Sequence, residues 1–324
     1  MQHMQELQKG IQARVICDSI IAGQRLTTFE LRFPRFILPE LNTHRVFSRN
    51  SASSRARSIT KSFAEVMQDP FVPNPFTKNK KGMSGAEIDP SQQAACEKAW
   101  LASRDMAMLC ALDLLVGEEK RQDLIGNNAH EFARITESYN METDEPSVHK
   151  QHVNRLLEPF MWHTTVLSST EWDNFFELRI APDAQPEIYE LAWKMKAAYD
   201  ASSAEQRRFH LPYITYQEGT DELAFSIKHS VACCATVSYK APEELKNLEV
   251  ASRIFDSMAQ EKHLSPFEHV AFEPAALEEF CTALGWDLSK LDMSAIKELN
   301  SPLWSGNFRP GLIQLRKVLE KLSD

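Results

Sequence analysis

The sequence predicts an α/β (α+β) fold in which a central mixed or antiparallel sheet is flanked by helices. Near the N-terminus, apolar and polar residues alternate in two runs, 13–17 and 27–33, on either side of a turn at Gly23. A period of two is typical of paired strands with one buried face. Later segments carry apolar residues at helical spacing instead, most clearly between Ile188 and Met195.

A short helix is expected after the second strand. Pro34 closes that strand, and a helix through residues 36–41 can accommodate Pro39 only in its first turn, since proline lacks the N–H that later turns need. Residues 68–92 contain four prolines and many turn formers, which predict a surface loop. We expect a helix over 92–117 with Trp100, Met106, Leu109 and Leu114 buried. The region of about 68–130 is thus an insert within a single domain, 1–324.

The second half is expected to be mainly helical. The spacing of Ser168 and Glu171 is that of a capping box, which predicts a helix start there. A helix from Pro242 is expected to bury four positions and to end near His263, with a strand over 267–272 after it. The four positions are Leu248, Ala251, Phe255 and Met258.

Composition narrows the classes of function. The 324 residues are 43% hydrophobic, which is enough for a large core. The net charge of −9 disfavours general nucleic-acid binding. No run approaches the roughly 18 apolar residues of a membrane span, and the first ten residues lack the apolar core of a signal peptide. We therefore expect a cytoplasmic protein without nucleic-acid or membrane partners. The six cysteines show no CxxC spacing, so no metal site is expected.

One segment departs from the acidic average. Between Glu40 and Glu65 there is no acidic residue, and basic side chains alternate with serines. Guanidinium and hydroxyl donors at this density suit a phosphate group. A solvated basic face is the alternative interpretation. The basic residues are Arg45, Arg49, Arg55, Arg57 and Lys61.

The stretch 43–55 resembles the signature of flavin-dependent thymidylate synthases, which is Arg-His-Arg, seven residues, then Ser. His44, Arg45 and Ser53 match it. The block 174–188 is similar to the Asn-Phe, Leu-Arg and Ala-Gln-x-Glu-Ile elements of that family. Residues 237–239 and 263–269 resemble its Val-Ser-Tyr and His-x-Ser-Pro-Phe-Glu-His elements, and 148–159 resembles a helix that supplies a nucleotide-binding arginine.

The order of these elements differs from most of the family, because the Ser-Pro-Phe-Glu-His element follows the signature instead of preceding it. A circular permutation would account for this, since chain termini often lie close together on a surface. The sequence thus resembles a circularly permuted subgroup with a flavin-dependent thymidylate synthase-like fold. We expect residues 265–269 to contact residues 43–55, and the strand over 267–272 to join the sheet that contains 27–33.

The resemblance implies methylation of dUMP to dTMP by a cytoplasmic homo-oligomer, a tetramer in the family. Methylenetetrahydrofolate would donate the carbon, FAD would carry hydride and NADPH would supply electrons. Arg179 would be catalytic, stabilising negative charge on the uracil ring. The dUMP-binding residues implied are Glu40, Thr43, Ser53, Ser54, Arg55 and Arg155. The FAD-binding residues implied are His44, Arg45, Asn50, Ser51, Asn174, Ser238, His263 and Ser265.

Four positions depart from the family pattern: Thr43, Ser51, Glu40 and Thr236. In the family these positions touch the flavin or nucleotide pocket. The departures leave open a pyrimidine nucleotide hydroxymethylase of the same fold. A non-catalytic nucleotide-binding protein that uses the basic segment is the second alternative.

Overall fold

The computed structural model describes residues 10–51, 53, 57–82, 85–216, 222–237, 242–291 and 302–323. Its main sheet has five strands in the order β3-β4-β2-β1-β5. The short β5 runs parallel to β1, and the other pairs are antiparallel, so the sheet is mixed as the sequence predicts. The strands are β1 (Gln12–Ile21), β2 (Gln24–Pro34), β3 (Ser48–Ser51), β4 (Trp162–Ser169) and β5 (Glu205–Gln206).

The predicted hairpin of β1 and β2 is confirmed. Ile21 pairs with Gln24, which leaves Ala22 and Gly23 as a two-residue turn. Both have positive φ, 48° and 79°, the conformation that matches the twist of a hairpin. The glycine carries the larger φ without a Cβ penalty.

Helices cover both sides of the sheet. They are α1 (Leu38–Asn42), α2 (Ile59–Gln68), α3 (Pro90–Val116), α4 (Glu118–Ile125), α5 (Ala133–Thr136), α6 (Lys150–Leu156), α7 (Asp173–Arg179), α8 (Pro186–Ala201), α9 (Leu223–Thr236), α10 (Leu248–Gln260), α11 (Leu277–Leu284), α12 (Pro302–Ser305) and α13 (Leu315–Ser323). Pro39 lies in the first turn of α1, as expected. None of the helices in the ranges above is both long and apolar enough to cross a membrane.

One face of the main sheet packs against α7 and α8. Phe29, Leu31 and Phe33 of β2 are fully buried there. The predicted apolar stripe of α8 is confirmed. Its four members are fully buried: Ile188, Leu191, Ala192 and Met195. This apolar layer fixes α7 over the sheet and so determines where the C-terminal end of α7 lies.

The C-terminal part forms a second, three-stranded sheet. Its strands are β6 (Phe209–His210), β7 (Ala271–Phe272) and β8 (Ile313–Gln314), in that order. The expectation of a strand over 267–272 in the main sheet is therefore wrong. Residues Ser265–His269 form a 3-10 turn with Pro266 at its start, because a fixed φ and a missing N–H suit the first turn of a helix.

Two expected burials and one expected cap are also wrong. Met106 is 60% exposed and Leu248 is 55% exposed, since each lies on the outer face of its helix. Ser168 of the proposed capping box lies near the end of β4 and Glu171 follows the strand, so the pair does not start a helix. The Ser169 hydroxyl accepts the Glu171 N–H (3.0 Å), and α7 begins at Asp173 without a side-chain cap.

Candidate functional site

The C-terminal end of α7 meets the turn that follows α1. The Arg179 guanidinium donates from Nε to His44 Nε2 (3.0 Å) and from Nη2 to Thr43 Oγ1 (3.1 Å). Nη2 also approaches the Glu40 carbonyl oxygen (3.4 Å). Phe175 anchors α7 in the core one turn earlier, so the guanidinium has a fixed base. The structure thus brings together Glu40, Thr43, His44 and Arg179, which sequence analysis assigned to one site.

His44 is the buried member of this group, with 6% of its surface exposed. Its ring stacks on Phe47 (5.6 Å between centroids) and meets Phe175 edge-on (4.9 Å). Burial lowers the pKa of His44, and the Arg179 and Arg49 charges lower it further. The imidazole is therefore neutral. Because Nε2 accepts a hydrogen bond from Arg179 Nε, the single proton of the neutral ring lies on Nδ1.

Arg179 retains donor capacity. The hydrogen bonds that it makes to described residues use Nε and Nη2 and leave Nη1 without such a partner. Its side chain is only partly exposed. A guanidinium held along one edge by neutral acceptors can present its other edge to a carbonyl or anionic oxygen.

Strand β3 forms the second part of the candidate site. It is the edge strand of the main sheet, and Asn50 lies within it. Asn50 Oδ1 accepts a hydrogen bond from the Ser265 hydroxyl (2.8 Å), and Nδ2 donates to the Cys234 carbonyl (2.7 Å). Two predicted FAD residues 215 positions apart are thus in direct contact.

The 3-10 turn Ser265–His269 is held against β3 by further buried groups. Gln314 Nε2 donates to the Glu268 carbonyl oxygen (3.0 Å) and to Ser48 Oγ on β3 (3.2 Å). The Glu268 side chain is 11% exposed and pairs with Arg316 of α13. The expected return of residues 265–269 to residues 43–55 is therefore observed.

A model of the thymidylate synthase complementing protein family matches residues 24–202. That match includes β2, α1, β3 and α7. It therefore covers all members of the Arg179 cluster, which we define as Glu40, Thr43, His44 and Arg179. The chain belongs to this family. The Ser265–His269 turn lies outside the matched span, so circular permutation stays a prediction.

Solved structures that match part of this chain include two of the UMP/dUMP methylase PolB from Streptomyces cacaoi, bound with 5-Br UMP and 5-Br dUMP. The first is 15% identical with a TM-score of 0.42, over 59% of this chain and 89% of that chain. The second is 14% identical with a TM-score of 0.39, over 59% and 90%. A search of curated proteins gave no significant match.

Four other residues that we predicted to bind dUMP or FAD lie at the surface. Arg45 is exposed beyond α1, Asn174 is exposed in the first turn of α7, and Arg155 is exposed on α6. His263 is 65% exposed and lies 3.3 Å from the Glu261 carboxylate. No hydrogen bond between described residues joins them to the Arg179 cluster. Arg155 nevertheless lies close to the basic segment, because its neighbour Asn154 donates to the Arg57 carbonyl (3.2 Å).

The remaining predicted positions fall in or next to gaps of the described chain. Ser51 ends β3 and is half-buried, as is Ser53. Ser54, Arg55 and Ser238 lie outside the described residues.

Two residues of the site were not assigned a role from sequence. Gln314 ties the 3-10 turn to β3, but a single glutamine before an amphipathic helix gives no signal. Arg49 donates to the Asn42 carbonyl (3.1 Å) and so supports the turn that carries His44. Because Arg49 lies in the basic segment, the sequence could have indicated that it belongs to the site.

A cavity of about 410 Å³ opens elsewhere, between the loop after α2, the start of β4 and α8. It contains none of the predicted site residues. Its titratable lining is acidic, including Glu97 and Glu187, which does not suit a phosphate. We therefore place the candidate site at Arg179 and not at this cavity.

Proposed function

We propose that this chain is a flavin-dependent thymidylate synthase, which methylates dUMP to dTMP. Methylenetetrahydrofolate is the carbon donor, FAD the hydride carrier and NADPH the electron source. The main support for the proposal is the position of Arg179, whose guanidinium is held by hydrogen bonds to His44 and Thr43. All three residues lie within the span that the family model matches.

The geometry suits the electrostatic part of this reaction. Making C5 of uracil nucleophilic places negative charge on the ring oxygens. A guanidinium with a fixed position stabilises such charge without reorganising. The neutral His44 supports this role, because a protonated imidazole would repel Arg179 instead of accepting its N–H. Arg179 is thus the catalytic residue of the proposal.

The dUMP site is proposed to use Glu40, Thr43, Ser53, Ser54, Arg55 and Arg155. The link between Asn154 and the Arg57 carbonyl supports this set, since it keeps α6 beside the basic segment. Arginines bind phosphate with paired donors, and serine hydroxyls complete the cradle. Thr43 has a second task, because its hydroxyl donates to the Glu40 carbonyl (2.7 Å) while accepting from Arg179.

The FAD site is proposed to use His44, Arg45, Asn50, Ser51, Asn174, Ser238, His263 and Ser265. FAD supplies the hydride when it is bound. The donor set fits such a group: Arg45 and Asn174 are exposed and make no hydrogen bond through their side chains to described residues. The contact between Asn50 and Ser265 fixes the two halves of the set relative to each other.

The site is proposed to be completed in a cytoplasmic homotetramer. Arg45, Asn174 and His263 project from the surface, where side chains of another copy can reach the same ligand. Light scattering of the purified protein tests this part, and a monomer that is fully active would contradict it.

The central test is a spectrum followed by an assay. We expect the purified protein, as isolated or after addition of FAD, to show the absorption of an oxidised flavin. With dUMP, methylenetetrahydrofolate and NADPH it should give a product of the mass of dTMP. A hydroxymethylated product would favour the hydroxymethylase alternative. A colourless protein that binds nucleotide without turnover would overturn the proposal in favour of a binding protein.

A further inference from the structure

A row of polar side chains crosses the main sheet beneath the C-terminal part. Ser48, Ser168, Thr28 and Cys17 are neighbours in register across β3, β4, β2 and β1. The first three are fully buried. Buried polar groups cost free energy unless they are hydrogen-bonded, so the partners of this row show what it does.

Two buried histidines from outside the main sheet complete the row. His269 Nδ1 lies 2.8 Å from Ser168 Oγ, which lies 2.5 Å from Thr28 Oγ1. Thr28 Oγ1 in turn lies 2.7 Å from Nε2 of His210. We call these four side chains the relay. Beyond it, His210 Nδ1 meets the Ser19 hydroxyl (3.0 Å).

The relay has a fixed number of protons. Three hydrogen bonds join its members, and the two hydroxyls supply two of the protons. With both hydroxyl protons used inside the relay, one imidazole supplies the third. If His210 donates from Nε2, His269 accepts at Nδ1 and its proton lies on Nε2. If His269 donates from Nδ1, the proton of His210 lies on Nδ1. The tautomers of the two histidines are thus coupled through Thr28 and Ser168.

Both imidazoles are neutral, so each ring carries a single proton. Burial lowers the pKa of His210 and of His269 to about 3. His269 Nε2 is buried and has no hydrogen-bond partner among the described residues. The imidazole is therefore oriented from one side, by the relay.

His269 belongs to the same 3-10 turn as Ser265, which contacts Asn50. We propose that His269 is a positioning residue: the relay fixes its ring beneath the turn and thereby holds Ser265 against Asn50 in the flavin site. The inference rests on the proposed function for the flavin, but the coupling of the tautomers stands without it.

The first test is Thr28→Val, which removes the central hydroxyl and preserves the shape of the side chain. Magic-angle-spinning NMR of protein labelled with 15N-histidine reports the tautomer of each ring, and a His269→Asn spectrum assigns the His269 signals. We expect Thr28→Val to change the signals of both His210 and His269. The control is Thr136→Val, because the Thr136 hydroxyl is buried without a partner among the described residues. Unchanged His269 signals in Thr28→Val would overturn the relay.

The second test measures the dissociation constant of FAD from the full-length protein. Ser168→Ala and His269→Leu should weaken FAD binding by about tenfold, the effect of losing one buried hydrogen bond. His269→Asn should restore most of the affinity, since its amide can still meet Ser168. Ser62→Ala is the control, because that hydroxyl is also buried without a described partner.

The outcomes of the two tests separate the inference from the proposed function. Normal FAD affinity in Ser168→Ala and His269→Leu would refute the positioning role. Failure of the unaltered protein to bind FAD would refute the proposed function, and the NMR result would then decide the relay alone. Changed tautomers together with weakened FAD binding would support both.

Discussion

At the scale of single residues, the site depends on a pair that sequence motifs do not show. His44 and Arg179 belong to separate blocks of the chain, 135 positions apart, yet their side chains meet at 3.0 Å. The resemblance assigned one to the flavin and the other to uracil. In the structure, His44 accepts a hydrogen bond from the Arg179 guanidinium and so orients it.

Replacement of Arg179 by alanine tests the catalytic assignment. We expect kcat to fall by about two to three orders of magnitude, because an interaction made chiefly in the transition state is lost. FAD should remain bound. Arg14→Ala is a matched control, since Arg14 is an exposed strand arginine paired with Glu30. Near-normal turnover of Arg179→Ala with dUMP would refute the assignment.

Replacement of Arg55 by alanine tests the phosphate assignment, which lies outside the described residues. A phosphate contact binds substrate and transition state alike, so KM for dUMP should rise while kcat changes little. Initial rates over a range of dUMP concentrations separate the two parameters. A loss of kcat at unchanged KM would give Arg55 a different role.

At the scale of elements, the 3-10 turn Ser265–His269 and the strand β3 form one structural unit. Double-mutant analysis of Asn50→Ala and Ser265→Ala tests it. We expect a coupling of about 0.5–3 kcal/mol in the free energy of unfolding, as for residues that share one buried network. Lys196 and Asp200, an exposed pair on α8, are the control and should couple far more weakly. Additive effects of the two substitutions at Asn50 and Ser265 would mean that the contact contributes nothing.

The sequence correctly predicted those elements that depend on the pattern of apolar and turn-forming residues within a short stretch of chain. The hairpin of β1 and β2, the first turn of α1 and the buried stripe of α8 were all correct. The strand over 267–272 was wrong, because its apolar residues are buried in a 3-10 turn and a two-residue strand. Residues 267–272 are all buried, the polar ones included, so their burial has no period of two that would distinguish a strand from a turn.

At the scale of the whole molecule, three buried histidines make stability depend on pH. Burial lowers the pKa of His163, His210 and His269 to about 3, below the ordinary value of 6.5. As pH falls through 6.5, the unfolded chain takes up protons that the folded protein does not. Stability from these groups is therefore complete above pH 6.5 and is lost progressively between 6.5 and 3.

Urea unfolding at a series of pH values measures this loss. Each histidine should contribute a slope of up to about 1.4 kcal/mol per pH unit within that window. His269→Asn should reduce the slope by one such contribution, whereas replacement of the exposed His130 by glutamine should not change it. An identical slope in His269→Asn and the unaltered protein would show that His269 does not remain neutral.

The sequence by itself determined the α/β class, the first hairpin, several helices and the family to which residues 24–202 belong. These depend on short-range periodicity and on motifs, which the linear chain displays. Only the tertiary structure decided that Arg179 rests on a neutral His44, that Ser265 meets Asn50, and that two histidines are joined through Thr28 and Ser168. The physical reason is that burial and a hydrogen bond between distant residues arise only when their elements pack together, and neither has a sequence period.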